Sequence, residues 1–596
     1  MNKLKNFFEK YGLEILLSVI LPILFWSQFL KNSLRFLRSD FDVFVTYLFA
    51  NKISFLYYHE FPYFSSYIGG GFFVWSNPQT IFFSVPQLIS LIFNNQWLAI
   101  RISICALSSI SMLGMFQLLK QLEITNIWCR LFGAIVYTFS GFIVSHFIMG
   151  HISFHNIIYI PWLAAAFIWS YRNDKFSYSI PILIALMVYA GQNVPSIFII
   201  FILLSFLTFT KLKRFIGYLI LGVLLSLPKI VGAYQLLSWF PRKVEMGYIS
   251  HFWIQTFNIF IRALMWPNQV WANFKVDNTL SPWELNGYVG ILVLIFTVIF
   301  LIYYKRFLKQ KKFILSMLLL IIVSVFLYPG DLNPAWKYLS KNIIFGSLHI
   351  PSRFIGLMAL PLACFASFGL SQIENKLKKY NNLILIGLCV LVFWDYFRIN
   401  QPYFDHVQNN CTIDNTTYFK KENPFKHVKG PDWSLFGSTI FESDYMFTYL
   451  QNNTGILQFY EALLGYDTYV FLRRSLVREG DLSLYVKDPN ISVKLVSPSK
   501  IRVEITKVKN EVIEIPININ YFPGWQITDK KEGMTLNKEW SPSKWGLLTL
   551  RLDEKFPLNI KEEIILKYSP SLIVKISFIL MISTLILLIY FKVRNK

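Results

Sequence analysis

Cysteine and acidic residues are scarce in this chain. Only five of its 596 residues are cysteine, and four of these lie in apolar segments. A scattered, odd-numbered set of cysteines excludes a disulfide framework and a CxxC metal motif. Charged residues make up 15% of the chain, against about 25% in soluble domains. The length alone would allow several soluble domains, but this composition argues against them.

Long apolar runs are abundant. A helix needs about 20 mainly apolar residues to cross a bilayer, and 54% of the chain is hydrophobic. The first run is longer than the core of a cleavable signal peptide, so we expect a retained helix there. The runs predict a polytopic α-helical membrane protein with about twelve transmembrane helices, at residues 12–30, 97–119, 128–146, 157–171, 178–191, 197–210, 216–236, 288–304, 313–328, 354–370, 383–396 and 571–591.

Basic residues outnumber acidic ones by 57 to 34, and the formal net charge is +23. They fall in short clusters between apolar runs, at 211–214, 305–312, 376–379 and 592–596. This is the positive-inside pattern of membrane proteins, so no nucleic-acid partner is expected. All four clusters lie inside if the N terminus does. Both termini are therefore predicted to be cytoplasmic.

Four large loops then fall outside, at 31–96, 237–287, 329–353 and 397–570. The first three are rich in aromatic residues, which predicts short amphipathic helices along the outer membrane surface. The fourth alternates in the manner of strands at 501–505, 512–515, 545–552 and 563–568. We expect an extracytoplasmic, mainly β domain of the antiparallel sandwich type at 400–570. It would follow a transmembrane module at 1–399 and precede a helix and basic tail at 571–596.

The first outer loop opens with Asp40 and Asp42, directly after the first membrane helix. A carboxylate there can act as a general base on a hydroxyl group or hold a metal ion. Two solvated acids at the end of an interfacial helix would give the same pattern. The loop continues through three glycines at 69–71, which permit close backbone approach to a ligand or form an ordinary turn.

Three histidines, His146, His151 and His155, crowd the loop after the third predicted span. His151 and His155 are four residues apart, so a helix would place them on one face, where they could bind a metal ion or a phosphate. A metal site would need a carboxylate partner, and none lies in that loop. Polar interface residues are the default interpretation, and a divalent metal ion stays open.

Cationic side chains also reach the outer boundary. Lys229 lies within a predicted span, where ionisable residues are usually functional. Arg242 and Arg353 lie at outer helix ends. The helix start at Arg353 and its guanidinium both favour a phosphate, whereas snorkelling to lipid headgroups is the alternative.

Taken in order, these motifs resemble the YfhO-type bacterial membrane proteins, relatives of the lipid-dependent glycosyltransferases with the GT-C fold. The matching features are an acidic residue after the first helix, the glycine-rich turn, and Asn-Pro-Gln at 77–79 leading to Pro86. Gly-His at 150–151, Pro-Trp at 161–162, Gly-Gln-Asn-Val-Pro at 191–195, Pro-Ser-Arg-Phe at 351–354 and Tyr-Phe-Pro-Gly-Trp at 521–525 are similar too. The resemblance covers nearly the whole chain.

The resemblance implies a GT-C-like glycosyltransferase of the bacterial cytoplasmic membrane, surrounded by membrane lipids. It would move a sugar from a polyprenyl-phosphate donor to an outer-face acceptor, with inversion, and the acceptor would be a cell-envelope glycan, lipid or protein. The base would be Asp40 or Asp42, and the sequence does not choose between them. The donor phosphate would bind Arg353, Arg242, Lys229 and His349. Substrate contacts would come from His151, His155, Gln79, Gln192, Asn193, Glu60 and Glu284.

Two other functions fit the same pattern. One is a flippase or transporter of lipid-linked sugars, and the other is a non-catalytic scaffold for envelope assembly. Transporters usually carry ionisable residues at mid-membrane and paired repeats. Here the polar residues gather at one face, which favours an enzyme.

Overall fold

The computed structural model describes residues 2–31, 35–37, 39–191, 200, 203, 212–240, 253–266, 282–341, 350–374, 381–412, 418–430, 445–459, 473–506, 512–537, 540–556 and 561–594. Four predicted site residues lie outside this part of the chain, namely Gln192, Asn193, Arg242 and His349. Most of the predicted span at 197–210 lies outside it as well.

Helices fill the described chain up to about residue 407 and return at its end. In chain order they are α1 Asn2–Phe25, α2 Ser27–Lys31, α3 Phe41–Lys52, α4 Val85–Ile92, α5 Gln96–Gln121, α6 Ile127–Thr138, α7 Gly141–Ile148, α8 Ile160–Asn173, α9 Ser179–Tyr189, α10 Leu212–Trp239, α11 Trp253–Met265, α12 Ile291–Tyr303, α13 Lys311–Leu327, α14 Trp336–Leu339, α15 Ala359–Glu374, α16 Asn381–Val407, α17 Tyr445–Gln451 and α18 Leu572–Arg594. A π-helical turn covers Ile53–Tyr57, and 3-10 helices cover Ile152–Tyr159, Pro282–Glu284, Tyr304–Gln310, Gly330–Leu332 and Pro351–Met358.

Seven of the described helical segments are long and apolar enough to cross a membrane, namely Gln96–Gln121, Ile152–Asn173, Leu212–Trp239, Ile291–Leu327, Pro351–Glu374, Asn381–Asp405 and Leu572–Arg594. The pair α6 and α7, bent by 47°, makes an eighth if it is one span. These helices agree with a polytopic membrane protein. Twelve spans stay a prediction. Two of the predicted spans are shorter apolar helices, at Tyr11–Phe25 and Ser179–Tyr189.

The strands of the described chain concentrate after residue 490. In chain order they are β1 Arg35–Leu37, β2 Phe64–Ser65, β3 Phe72–Phe73, β4 Gln408–Thr412, β5 Lys426–Val428, β6 Thr454–Ile456, β7 Ile491–Ser497, β8 Lys500–Ile505, β9 Ile513–Asn520, β10 Trp525–Ile527, β11 Met534–Leu536, β12 Trp540–Ser541, β13 Lys544–Trp545, β14 Leu547–Leu552 and β15 Glu562–Tyr568.

The late strands form two antiparallel sheets, in the orders β10-β15-β8-β7 and β11-β14-β9. In β8 the side chains of Ile501, Val503 and Ile505 are buried, and the residues between them are partly exposed. This period of two is the one read from the sequence, because successive strand side chains point to opposite faces. The predicted β-rich region is confirmed, whereas the domain boundaries stay a prediction.

The segment predicted to be the first outer loop folds against this β region. The amide of Asn520 in β9 donates to the carbonyls of Gly69 (2.8 Å) and Gly71 (3.2 Å), and its backbone N–H donates to Gly70 (2.8 Å). All three glycines have positive φ, and a Cβ on Gly71 would lie 2.9 Å from Ile519. The glycines therefore allow close approach to a strand rather than to a ligand. We call residues 69–71 with Asn520 the glycine clasp.

The same loop begins with a buried helix. All twelve residues of α3 are buried, and Phe49 packs on Phe447 of α17 with ring centroids 5.0 Å apart. The prediction of an amphipathic helix on the membrane surface is therefore wrong for α3. An apolar helix that is covered on all sides belongs to a protein interior.

Candidate functional site

Asp40 and Asp42 have different surroundings although only one residue separates them. The Oδ2 atom of Asp40 accepts a hydrogen bond from Nε2 of His151 at 3.0 Å, and 25% of its side chain is exposed. Asp42 is buried. Its two oxygens accept the backbone N–H groups of Met446 (3.2 Å) and Phe447 (3.1 Å). Asp42 thus satisfies the first turn of α17 as a capping acid does, and Asp40 alone is left with a reachable carboxylate.

A tight turn brings His151 to Asp40. Gly150 has a φ of +80°, and a Cβ at this position would lie 2.6 Å from the backbone nitrogen of Phe41. The backbone N–H of Asp40 donates to the carbonyl of Met149 at 3.3 Å. A residue without a Cβ is required here, because any side chain would collide with the start of α3.

His146 links this turn to an ion pair. Its Nδ1–H donates to the carbonyl of Phe142 at 2.9 Å, and its Nε2 lies 3.5 Å from Oε2 of Glu284. The ring centroids of His146 and His151 are 5.2 Å apart. The packing is close, because a Cβ on Gly141 would lie 2.7 Å from the backbone nitrogen of Tyr288, four residues after Glu284.

Glu284 and Arg353 form a buried bidentate pair. Nε and Nη2 of Arg353 each donate to one carboxylate oxygen of Glu284, both at 2.6 Å. Burial by itself would raise the pKa of Glu284, but the Arg353 guanidinium and the His146 ring outweigh it and hold that pKa well below its ordinary value. The guanidinium also lies 4.8 Å from the ring centroid of Phe154. Glu284 is therefore ionised at neutral pH.

We call these five residues the acid–histidine cluster: Asp40, His146, His151, Glu284 and Arg353. Within the described chain, two of its buried nitrogens have no hydrogen-bond partner, Nε2 of His146 and Nδ1 of His151. One ligand atom each from His146, His151 and Glu284 lie within 4.8 Å of one another. Two histidines and a carboxylate can hold a divalent metal ion.

The predicted pairing of His151 with His155 is not the one the structure has. The segment after His151 is a 3-10 helix, so a spacing of four does not place both side chains on one face. His155 instead donates from Nδ1 to the carbonyl of Ile152 at 2.6 Å, and it is outside the metal-competent group. His146 takes its place.

The sequence predicts that Lys229 binds the donor phosphate, but in the structure its partners are oxygens of the chain itself. Its buried ammonium donates to the carbonyls of Trp75 (3.1 Å), Asn77 (2.6 Å) and Thr80 (2.8 Å), and Oγ1 of Thr80 lies 3.1 Å away. Gln79 is buried in the same turn. An ammonium has three donors, and four acceptors already surround them. We call Lys229 with residues 75–80 the lysine turn.

Glu60 lies at the junction of the first loop with the β region. Its carboxylate accepts hydrogen bonds from Ser497 and Ser499, both at 2.7 Å, and lies 2.6 Å from Nζ of Lys500. Burial alone would raise the pKa of Glu60, but these three partners lower it below its ordinary value. Its contacts are therefore those of a structural junction.

Sequence reasoning missed three features of the cluster. It noted His146 without assigning it a role, and it gave Glu284 and Arg353 separate roles as acceptor and phosphate contacts. Asp40 and His151 were recognised, but not as partners. One signal could have found the missing acid. A metal site at these histidines needs a carboxylate, and since none lies near them in the sequence, a distant part of the chain has to supply it.

No protein-family model matches the chain, and comparison with curated proteins finds no match either. Among solved structures, the chain is similar to the cryo-EM structure of the arabinofuranosyltransferase AftD from Mycobacteria, with a TM-score of 0.41 and 10% sequence identity. The superposition covers 93% of this chain and 40% of that one. The chain thus spans less than half the length of that protein.

Proposed function

We propose that the chain is a membrane glycosyltransferase that moves a sugar from a polyprenyl-phosphate donor to a hydroxyl acceptor. The reaction would take place at the outer face of the cytoplasmic membrane, with Asp40 as the base. The observation that carries the proposal is the Asp40–His151 pair, a partly exposed carboxylate oriented by a histidine. The ordered resemblance to YfhO-type proteins supports the same reaction.

Asp40 is the proposed base because of its exposure and its fixed orientation. The bond from His151 occupies Oδ2, so Oδ1 would take the proton of the acceptor hydroxyl. The hydroxyl oxygen would then form a bond to the anomeric carbon as the bond from that carbon to the phosphate oxygen breaks. The electron pair leaves with the polyprenyl phosphate. A single displacement of this kind inverts the configuration.

Arg353 is the cation that we propose for the leaving phosphate. It lies in the same cluster as Asp40, on the far side of the two histidines. Its bidentate pair with Glu284 holds the guanidinium in one orientation. A fixed guanidinium stabilises charge that develops on a leaving group. We leave Lys229, Asp42 and Glu60 out of the proposed site, because their charged atoms already bind other parts of the chain.

Paired substitutions of the two aspartates test the proposal. Purified chain in nanodiscs is incubated with undecaprenyl phosphate carrying radiolabelled hexoses or pentoses and with an envelope fraction as acceptor. We expect Asp40→Asn to lower transfer about 10²–10⁴-fold, the usual contribution of a general base. Asp42→Asn is the matched control and should leave transfer per folded molecule within a few-fold of wild type.

Three results contradict the proposal. One is the absence of transfer from every donor in the panel, and another is full transfer by the Asp40→Asn variant. The third is movement of the labelled lipid across the bilayer with its sugar still attached, which would favour the flippase.

A further inference from the structure

The inner face of the acid–histidine cluster carries three ligand atoms that converge. Nε2 of His146 and Nδ1 of His151 are buried and, within the described chain, have no hydrogen-bond partner. One ligand atom each from His146, His151 and Glu284 lies within 4.8 Å of the other two. A buried imidazole nitrogen without a partner is costly. Two such nitrogens, in rings whose centroids are 5.2 Å apart, point to a shared ligand.

Both histidines are held as metal-bound histidines usually are. The other ring nitrogen of His151 donates to the Asp40 carboxylate at 3.0 Å. The other ring nitrogen of His146 donates to the carbonyl of Phe142 at 2.9 Å. Such second bonds fix the tautomer and leave the inner nitrogen as a lone-pair donor. In this way the remaining ring nitrogen of each histidine keeps a lone pair for a ligand.

The charge of the cluster also favours a cation. Metal binding requires both imidazoles to be neutral. In that state the cluster holds two carboxylates and one guanidinium, so the five residues carry a net charge of minus one. This charge repels a phosphate diester, which is itself an anion. A divalent cation at His146 and His151 would change the net charge to plus one. The same site would then attract the phosphate that the proposed donor carries.

The pair with Arg353 leaves room for a metal–carboxylate bond. The guanidinium donates once to each oxygen of Glu284, and each oxygen has two lone pairs. The second lone pair of Oε2 can face His146, whose Nε2 is 3.5 Å away. Arg353 would then hold the carboxylate in place and lower its affinity for the metal ion without excluding it.

We propose that His146, His151 and Glu284 bind a divalent transition-metal ion of the zinc type, with Asp40 as the positioning residue of His151. Two histidines and one glutamate are a ligand set that zinc enzymes use, and three protein ligands leave a coordination position open. If the proposed function holds, this open position receives a phosphate oxygen of the donor.

Metal binding by the purified chain, measured without any donor, tests the inference. The chain is stripped with a chelator, dialysed against Zn²⁺ and then against buffer, and its zinc content is determined by mass spectrometry. We expect about one zinc per chain. His151→Gln and His146→Gln should each lower the affinity for zinc at least tenfold. Asp40→Asn should lower it about 10–100-fold, as is usual for a residue that hydrogen-bonds to a metal ligand. Replacement by Co²⁺ should give visible absorption bands that both histidine variants lack.

His155→Gln is the matched control, because His155 is equally buried but outside the group. It should keep zinc and the cobalt spectrum. The inference is overturned if wild type keeps no stoichiometric zinc, or if His151→Gln and His146→Gln keep as much as His155→Gln. Because no donor is present, failed metal binding is distinguishable from failed sugar transfer. Zinc that binds while no labelled donor reacts would contradict only the proposed function.

Discussion

Arg353 and Lys229 are both cationic side chains buried near the predicted outer boundary, and the sequence suggests the same role for both. In the structure they belong to different kinds of site. Arg353 pairs with a carboxylate, next to two histidines that each have one nitrogen without a hydrogen-bond partner among the described residues. Lys229 is surrounded by neutral oxygens of the lysine turn. A buried charged group points to a functional site when polar atoms next to it have no hydrogen-bond partner. It points to a structural role when all of these atoms are hydrogen-bonded.

The largest effect is expected from breaking the ion pair. Arg353→Met would leave Glu284 buried without its cation, which costs about 3–5 kcal/mol for a buried pair. We expect a large loss of stability in denaturant titrations of the detergent-solubilised chain. The double variant Glu284→Gln/Arg353→Met should regain part of it, because the stranded charge is gone. Equal stability of the single and double variants would contradict the ionic description of the cluster.

The lysine turn should respond less. Lys229→Met removes one ammonium and strands no opposite charge, so we expect a loss of about 2 kcal/mol, in the range of hydrogen bonds to charged groups. Transfer per folded molecule should stay close to wild type. A loss of transfer much larger than the loss of folded protein would indicate that Lys229 binds the donor. Lys229 and Arg353 would then have the same role.

Substitution of Asp42 should lower stability without changing transfer, as for Lys229 and unlike Asp40. Asp42→Ala removes the acceptor for two N–H groups of α17, and loss of such a cap costs about 1 kcal/mol. The thermal midpoint should fall by a few degrees, and the transfer rate of the folded fraction should not change. Asp40→Ala is the comparison: it should abolish transfer with a smaller shift of the midpoint, because its side chain is partly exposed.

The smallest effect belongs to Glu60 and depends on pH. Its folded-state pKa is lowered by its partners in the β region. Its stabilisation is therefore fully present above the unfolded-state pKa of about 4.3 and is lost as the pH falls through the folded-state pKa. At pH 7, Glu60→Gln should cost about 1 kcal/mol or less. The gap between the thermal midpoints of wild type and variant should shrink below about pH 4.3. A gap that widens in acid would reverse the sign of the shift.

Local sequence patterns predicted the apolar helices and the alternating strands, because each depends on residues near one another in the chain. The pairs of residues that form the site depend on tertiary contacts between distant parts of the chain. Glu284 and Arg353 are 69 positions apart, and Asp42 is separated from the N–H groups it accepts by about 400. No spacing rule connects such residues. The pairing of His151 with His155 failed for a local reason, since the chain there is a 3-10 helix rather than an α-helix.

The glycine clasp has a consequence for the synthesis of the protein. Asn520 follows Gly69 by 451 positions, so the ribosome needs roughly 20–90 s after making the first loop before it makes the side chain that closes it, at about 5–20 residues per second. During that interval the carbonyls at 69–71 have no strand to bind. The loop that follows Asp40 is thus translated well before the strand that completes its hydrogen bonds. A nascent chain that ends between Arg353 and Asn520 would carry every residue of the acid–histidine cluster and still lack the clasp.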